Sequence, residues 1–320
     1  MSQTIAIAGA GGIGTHIVDA IVKQGKHKLI VLSHGSNQML ADRGIDVRTV
    51  DYSSVASLSE VLKGVDVVMS FVSSKAGDDC QPNLLEAAIA NGVKRFIPSE
   101  WAGDVERYGD QGPALYDFKR TMRKKLAEQD KVEYTLISNG LFMDYLLPKG
   151  AKKYLKDVRI PVNIEERKAR IPVHGEASVT MTYADDIGTA VIKLVEDTRP
   201  WPLYTYIHGA TTTWDQLVKL GEEVTGDKFE VEYVSMEKLQ EDVVAAKATG
   251  DPMRIFFASV DIYYAGDILS LPQHSDPTLF QDIDYKQPKE LLSEWYAGSL
   301  NKALVDIVSD LIYDVLSILI

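Results

Sequence analysis

Six short apolar runs mark the first half of the chain, at residues 4–8, 28–32, 46–50, 65–71, 95–98 and 133–138. Each is strand-length, which reads as β structure. Between them, residues 15–24, 38–43, 58–62, 81–91 and 113–129 carry helical patterns. The runs Val65-Asp66-Val67-Val68-Met69 and Tyr134-Thr135-Leu136-Ile137 are almost continuously apolar, as strands covered on both faces are. Strands alternating with helices predict an α/β chain with a doubly wound parallel sheet of the Rossmann type.

The rhythm changes after Asn139. Residues 141–156 are apolar and aromatic, and residues 158–180 read as short extended pieces broken by Glu165-Glu166-Arg167-Lys168. A helix is expected over 183–197, a strand over 204–208 and a helix over 213–225. Thr213 suits the cap of that last helix, and Asp215 its first turn. This predicts a dinucleotide-binding domain over 1–150 and a smaller α+β substrate region over 151–320, with the chain crossing between them.

The first strand breaks into Gly9-Ala10-Gly11-Gly12-Ile13-Gly14 and a helix follows at once. Strand, glycine turn and helix start come in the order a dinucleotide site requires. The first glycine makes the turn, the second lets backbone approach a pyrophosphate, and the third lets helix and strand pack closely. The second strand ends in Ser33-His34-Gly35-Ser36-Asn37, with no acid before Asp42. An acid there would hold both ribose hydroxyls. A polar loop instead tolerates a 2′-phosphate, which favours NADPH over NADH. Asp51 follows the third strand and is placed either to contact the adenine amino group or to cap the next helix. Phe71-Val72-Ser73 ends the fourth strand, at the edge where open sheets bind ligands.

Composition narrows the classes. The 320 residues carry 45% hydrophobic and 25% charged side chains, the balance of an ordinary globular protein. A net charge of −12 argues against nucleic acid as a partner. A single cysteine, Cys80, excludes an intramolecular disulfide. Met1-Ser2-Gln3-Thr4 runs straight into the first strand without a leader, so a cytoplasmic setting is expected. Residues 300–320 are apolar, but Asp306, Asp310 and Asp314 recur every four residues. That acidic stripe reads as an amphipathic surface helix, not a membrane span, with an apolar end suited to a homodimer contact. The six histidines are scattered, so no metal is expected, and no Gly-x-Ser-x-Gly elbow supports a hydrolase.

Several segments resemble the NmrA-like and isoflavone-reductase-like group of atypical short-chain dehydrogenases. They are the glycine turn at 9–14, Val65-Asp66-Val67-Val68-Met69-Ser70, Val93-Lys94-Arg95-Phe96-Ile97-Pro98-Ser99-Glu100-Trp101 and Tyr116-Asp117-Phe118-Lys119. Further matches are the stretch 134–142 and Thr182-Tyr183-Ala184-Asp185-Asp186-Ile187-Gly188. The resemblance implies a Rossmann domain that binds NADPH, with Asn139 and Leu141 at the cofactor edge, and a smaller substrate domain. Lys119 matches the family's active-site lysine beside the nicotinamide, with Tyr116 near it. Without that resemblance Lys119 reads as one solvated cation among Arg120, Arg123, Lys124 and Lys125. The glycine turn is one residue shorter than the family's, Ser33-His34 stands where an arginine is usual, and Trp101 replaces a phenylalanine.

Trp101, Phe142, Met143, Tyr145 and Tyr154 are candidates for the substrate pocket, as are Phe256, Phe257, Tyr263 and Tyr264, although aromatic clusters also build cores. The leading expectation is an NADPH-dependent reductase of a C=N or C=C bond in a small cyclic metabolite. The alternative is a dinucleotide-sensing regulator without turnover. A sugar-nucleotide epimerase is disfavoured, because its tyrosine and lysine are four apart and Tyr116 and Lys119 are three.

Overall fold

β1 (Thr4–Ala8) is apolar on both faces and passes through the glycine turn into α1 (Gly12–Gln24). The chain continues through β2 (Lys28–Ser33), α2 (Gln38–Ala41), β3 (Asp46–Thr49), α3 (Val55–Leu62) and β4 (Val67–Ser70). α4 (Cys80–Ala90), β5 (Arg95–Ile97), α5 (Asp117–Ala127), β6 (Glu133–Tyr134) and β7 (Leu136–Ser138) follow. The computed structural model describes residues 2–72, 79–108, 116–273 and 276–296.

Six strands form a parallel sheet in the order β3-β2-β1-β4-β5-β6. The order reverses beside β1, which puts the glycine turn at the switch point where ligands of open sheets bind. On one face α1 brings Ile17, Val18 and Ile21 to the core; on the other lie Leu58, Leu62, Leu84, Leu85, Met122 and Leu126. The sheet is therefore covered on both sides, as its apolar strands require.

Several boundaries differ from the sequence reading: α1 and α3 each start three residues earlier than expected, and β4 is shorter. The run at 133–138 is split at Thr135, whose hydroxyl meets that of Thr205 at 2.7 Å inside the core. The helix expected over 113–129 is α5, starting at Asp117; residues 109–115 lie outside the described residues.

Beyond β7 the chain builds β8 (Leu141–Phe142), β9 (Val162–Asn163), β10 (Lys168–Pro172) and β11 (Ser178–Thr182), then returns to α1 and β7. α6 (Ala184–Glu196) packs on α1, and β12 (Tyr204–Tyr206) pairs parallel with β7. The crossing is close because Gly188 has no side chain: a Cβ there would stand 2.9 Å from that of Ala20. Residues 184–207 thus complete the first layer structure, although they lie beyond residue 150. The chain leaves again into β13 (Ala210–Thr213), α7 (Trp214–Thr225), β14 (Glu230–Val234), α8 (Met236–Thr249), α9 (Pro252–Tyr263) and α10 (Pro277–Phe280). α7 starts with a reciprocal cap in which Thr213 accepts from the Gln216 amide and Gln216 accepts from that of Thr213.

Two small sheets, β13-β11-β8 and β14-β10-β9, sit over a second core built on Ile171, Met181, Trp214 and Leu217. Among the described residues no helix is long and apolar enough to cross a membrane. The acidic-striped stretch 300–320, and with it the homodimer contact expected there, lies outside the described residues.

Candidate cofactor and catalytic site

The glycines of the turn stand in different surroundings. Gly9 has φ +85°, and its amide donates to the Leu32 carbonyl at 3.0 Å, tying the turn to the end of β2. A Cβ on Gly14 would stand 2.6 Å from the Gly9 oxygen and 3.1 Å from Cγ of Phe71. Gly11 caps α1, and a Cβ there would meet nothing within 4 Å. Gly12 faces Leu155, whose Cδ2 would lie 3.1 Å from an added Cβ. Ile13 packs against the core under the turn. The cradle fits a dinucleotide: two glycines are needed for close packing, and Gly11 leaves open backbone at the positive end of a thirteen-residue helix.

The loop after β2 is polar. His34 and Ser36 are exposed and Ser33 is half-buried. Asn37 caps α2 by accepting from the Leu40 amide at 3.3 Å, so its side-chain oxygen is already engaged. Arg43, just beyond, is held by Asp19 at 2.5 Å. Asp51 does not cap α3; Ser54 does, accepting from the Ser57 amide at 3.2 Å. The Asp51 carboxylate instead accepts from the hydroxyl and amide of Ser53, which hold it below the usual carboxylate range. Phe71 and Val72 reach the carboxyl edge of the sheet next to Gly9. Ser73 lies outside the described residues.

Lys119 is buried, with 6% of its surface exposed. It stands in the first turn of α5, on the buried face that also carries Met122 and Leu126. Its ammonium donates to the backbone carbonyl of Glu100 at 2.8 Å and stands 4.9 Å from the centre of the Tyr116 ring. Burial lowers its pKa to about 8; the nearby Glu100 carboxylate opposes that shift and Arg123 adds to it. The reading of Lys119 as a solvated cation is therefore wrong, because α5 turns it inward. Tyr116 is also desolvated, with its phenol pushed up to about 12, and its ring meets Phe256 edge-on at 5.7 Å.

Lys119 connects to the glycine turn through packed rings. Trp101, next to Glu100, stacks on Phe71, and Phe71 packs on Gly14. Trp101 and Phe142 are 8% and 7% exposed, so each keeps a small accessible edge, whereas Met143 has none. Tyr145 meets Phe142 edge-on at 5.6 Å. Asn139 is fully buried after β7; its amide nitrogen donates to the Gly140 carbonyl at 3.1 Å, and its Oδ1 has no partner. Leu141 is half-buried in β8 and packs on the second core. Tyr154 lies on α1, donating to Asp19 at 2.9 Å. Tyr264 is buried edge-on against Trp214, while Phe256 and Tyr263 pack at the margin of the same core. Phe257 lies under the Arg159 guanidinium at 5.7 Å.

Two groups escaped sequence reasoning. The Glu100 carboxylate, 1% exposed, takes two contacts of 3.1 Å from Arg123. Asp19 gathers Arg43, Lys153 and Tyr154 onto α1. The spacing of Lys119 and Arg123, four apart on one helix, was the available signal for the first. A cavity of about 320 Å³ beside Arg199, Trp201 and Phe280 holds none of the candidate residues.

The sequence profile of the NmrA-like family matches residues 1–295. An oxidoreductase named swnR from Arthroderma benhamiae is 28% identical over 302 residues, covering 91% of this chain and 97% of the relative. The phenylcoumaran benzylic ether reductase Betv6 of Betula pendula is 28% identical over 314 residues, covering 92% and 98%. A solved structure of AtPrR2 with NADP+ and (+)-pinoresinol is 25% identical, with a TM-score of 0.74 over 92% of this chain and 98% of that one. With a match across nearly all of its length, the chain belongs to the NmrA-like family.

Proposed function

We propose that this chain is an NADPH-dependent reductase of a small cyclic metabolite, reducing a C=C or C=N bond. The observation that carries the reading is Lys119: a buried lysine with its pKa lowered to about 8, held by a carbonyl at the carboxyl edge of the sheet. The solved relative that holds NADP+ and the relatives named oxidoreductase and reductase support it.

Gly9, Gly11, Gly12 and Gly14, with the amide end of α1, would hold the pyrophosphate. Ser33, His34 and Ser36 would face the 2′-phosphate, and none of them repels it. NADPH, when bound, supplies the hydride. For a C=C bond the Lys119 ammonium gives its proton to the substrate atom that gains the electron pair. The neutral amine then regains a proton from solvent. A substrate iminium nitrogen accepts the C=N electron pair itself, so it needs no proton from the protein.

The test is NADPH oxidation across a panel of enones and cyclic iminium ions, beside calorimetric titration of wild type and His34→Ala with NADPH and NADH. Substrate-dependent oxidation, with NADPH preferred and that preference reduced in His34→Ala, supports the proposal. Tight cofactor binding without turnover on any substrate, together with capture of a protein partner, overturns it in favour of a regulator.

A further inference from the structure

Lys119 and Arg123 are four residues apart on α5 and share one face. Both meet Glu100, but at different groups. The lysine takes the backbone carbonyl at 2.8 Å, and the arginine takes both carboxylate oxygens at 3.1 Å. Arg123 also reaches Glu106 at 2.7 Å and Asp104 at 3.8 Å, and Asp104 accepts from the Tyr206 hydroxyl at 2.9 Å. One guanidinium thus ties together the segment between Glu100 and Glu106, immediately after β5. The groups around the lysine are Glu100 from that segment, Tyr116 just before its own helix and Arg123 within it. Asp104, Glu106 and Tyr206 stand behind Arg123, and Tyr145 and Tyr264 stand near Tyr116.

This arrangement has a chemical consequence. A carboxylate bonded directly to Lys119 in a dry site would hold its proton firmly. Here the carboxylate is turned to Arg123 and the lysine is left with a neutral carbonyl. A buried ion pair is also costly to desolvate, and an apolar pair could fill the same space. We propose that Arg123 is a positioning residue of the reaction. By gripping the Glu100 carboxylate it fixes the carbonyl that holds Lys119 and balances the charge that the ammonium feels. The proposal rests on Lys119 as the proton donor.

The test titrates Lys119 directly, so it needs no turnover. Protein labelled with 13C at the lysine ε-carbon is followed by NMR against pH, and the signal missing from Lys119→Met is assigned. Wild type is expected to titrate near pH 8. Glu100→Gln removes a negative neighbour and is expected to lower the midpoint, and Arg123→Met removes a positive one and is expected to raise it, each by about half a unit or more. Arg123→Lys keeps the charge and is expected to stay closer to wild type than Arg123→Met does. Any alkaline limb of kcat should move in the same directions. If both neutralising variants shift the same way, as general loosening and hydration would produce, or if neither shifts, the proposal fails. Should Arg123→Met not fold, the fall in Glu100→Gln and the position of Arg123→Lys decide. Absence of turnover with the midpoints displaced as expected would instead count against the reductase reading alone.

Discussion

The indole of Trp101 lies parallel to the ring of Phe71, with centroids 4.6 Å apart and planes 13° apart, and its Nε1 donates to the Ser70 carbonyl at 2.8 Å. This contact joins the end of β4 to the segment after β5. It also sets the residue before it, Glu100, against Lys119. Trp101→Phe keeps the stack and loses one hydrogen bond, so it is expected to cost about 1 kcal/mol of stability. Trp101→Ala is expected to cost about 3–5 kcal/mol. Urea denaturation of both variants checks this; equal losses would show that the stack contributes nothing.

Lys119→Met removes the proton donor and keeps the shape. Turnover of an enone is expected to fall by about 10²-fold or more, and that of a preformed iminium far less. Steady-state kinetics on the two substrate types separates these outcomes. A parallel collapse on both would place the lysine in binding or orientation.

The lysine also predicts a pH dependence with a definite sign. Burial lowers its folded-state pKa to about 8 from the ordinary 10.5, and it donates only as the ammonium. Wild-type kcat on an enone is therefore expected to decline above about pH 8, with no such limb in any residual activity of Lys119→Met. Between those two values the folded state holds fewer protons than the unfolded state. Stability from this group therefore rises across that window. Melting curves of wild type against Lys119→Met over the window measure that contribution.

The glycine turn separates packing from ligand approach. Gly14→Ala would put a Cβ 2.6 Å from the Gly9 oxygen, so it is expected to cost about 1–3 kcal/mol and to weaken cofactor binding. Gly11→Ala enters open space and is expected to leave the melting temperature nearly unchanged. It should weaken NADPH by about tenfold, because backbone approach is blocked. Calorimetry and thermal melts on the pair check both; unaltered NADPH affinity in Gly11→Ala would remove the pyrophosphate from that position.

Asp186 has the opposite titration sign. Burial raises its carboxyl to about 6, against the pull of the Lys286 amide, which donates to it at 2.7 Å. The folded state then takes up a proton more readily than the unfolded state, and stability from this group falls as pH rises from the ordinary 3.8 to about 6. Asp186→Asn keeps an acceptor for that amide. It is expected to melt above wild type at about pH 8 and to show a smaller advantage near pH 4. The same advantage at both would exclude ionisation as the cause.

What the sequence determined by itself was local. Runs of apolar residues and a glycine-rich break specify β1, the turn and α1, because strand burial and left-handed backbone depend on residues only a few positions apart. The same holds for the alternation through β7 and for the Thr213 cap. The matching segments also singled out Lys119. The tertiary structure decided its state: burial lowers its pKa to about 8, and the Glu100 carbonyl, nineteen residues away, holds its ammonium inside the fold. The return of residues 184–207 to α1 and β7 was equally out of reach of local pattern. It depends on Gly188 meeting Ala20 and on β12 meeting β7, and such contacts exist only once distant segments share a core. Desolvation and long-range pairing belong to the packed chain, so they cannot be read from spacing alone.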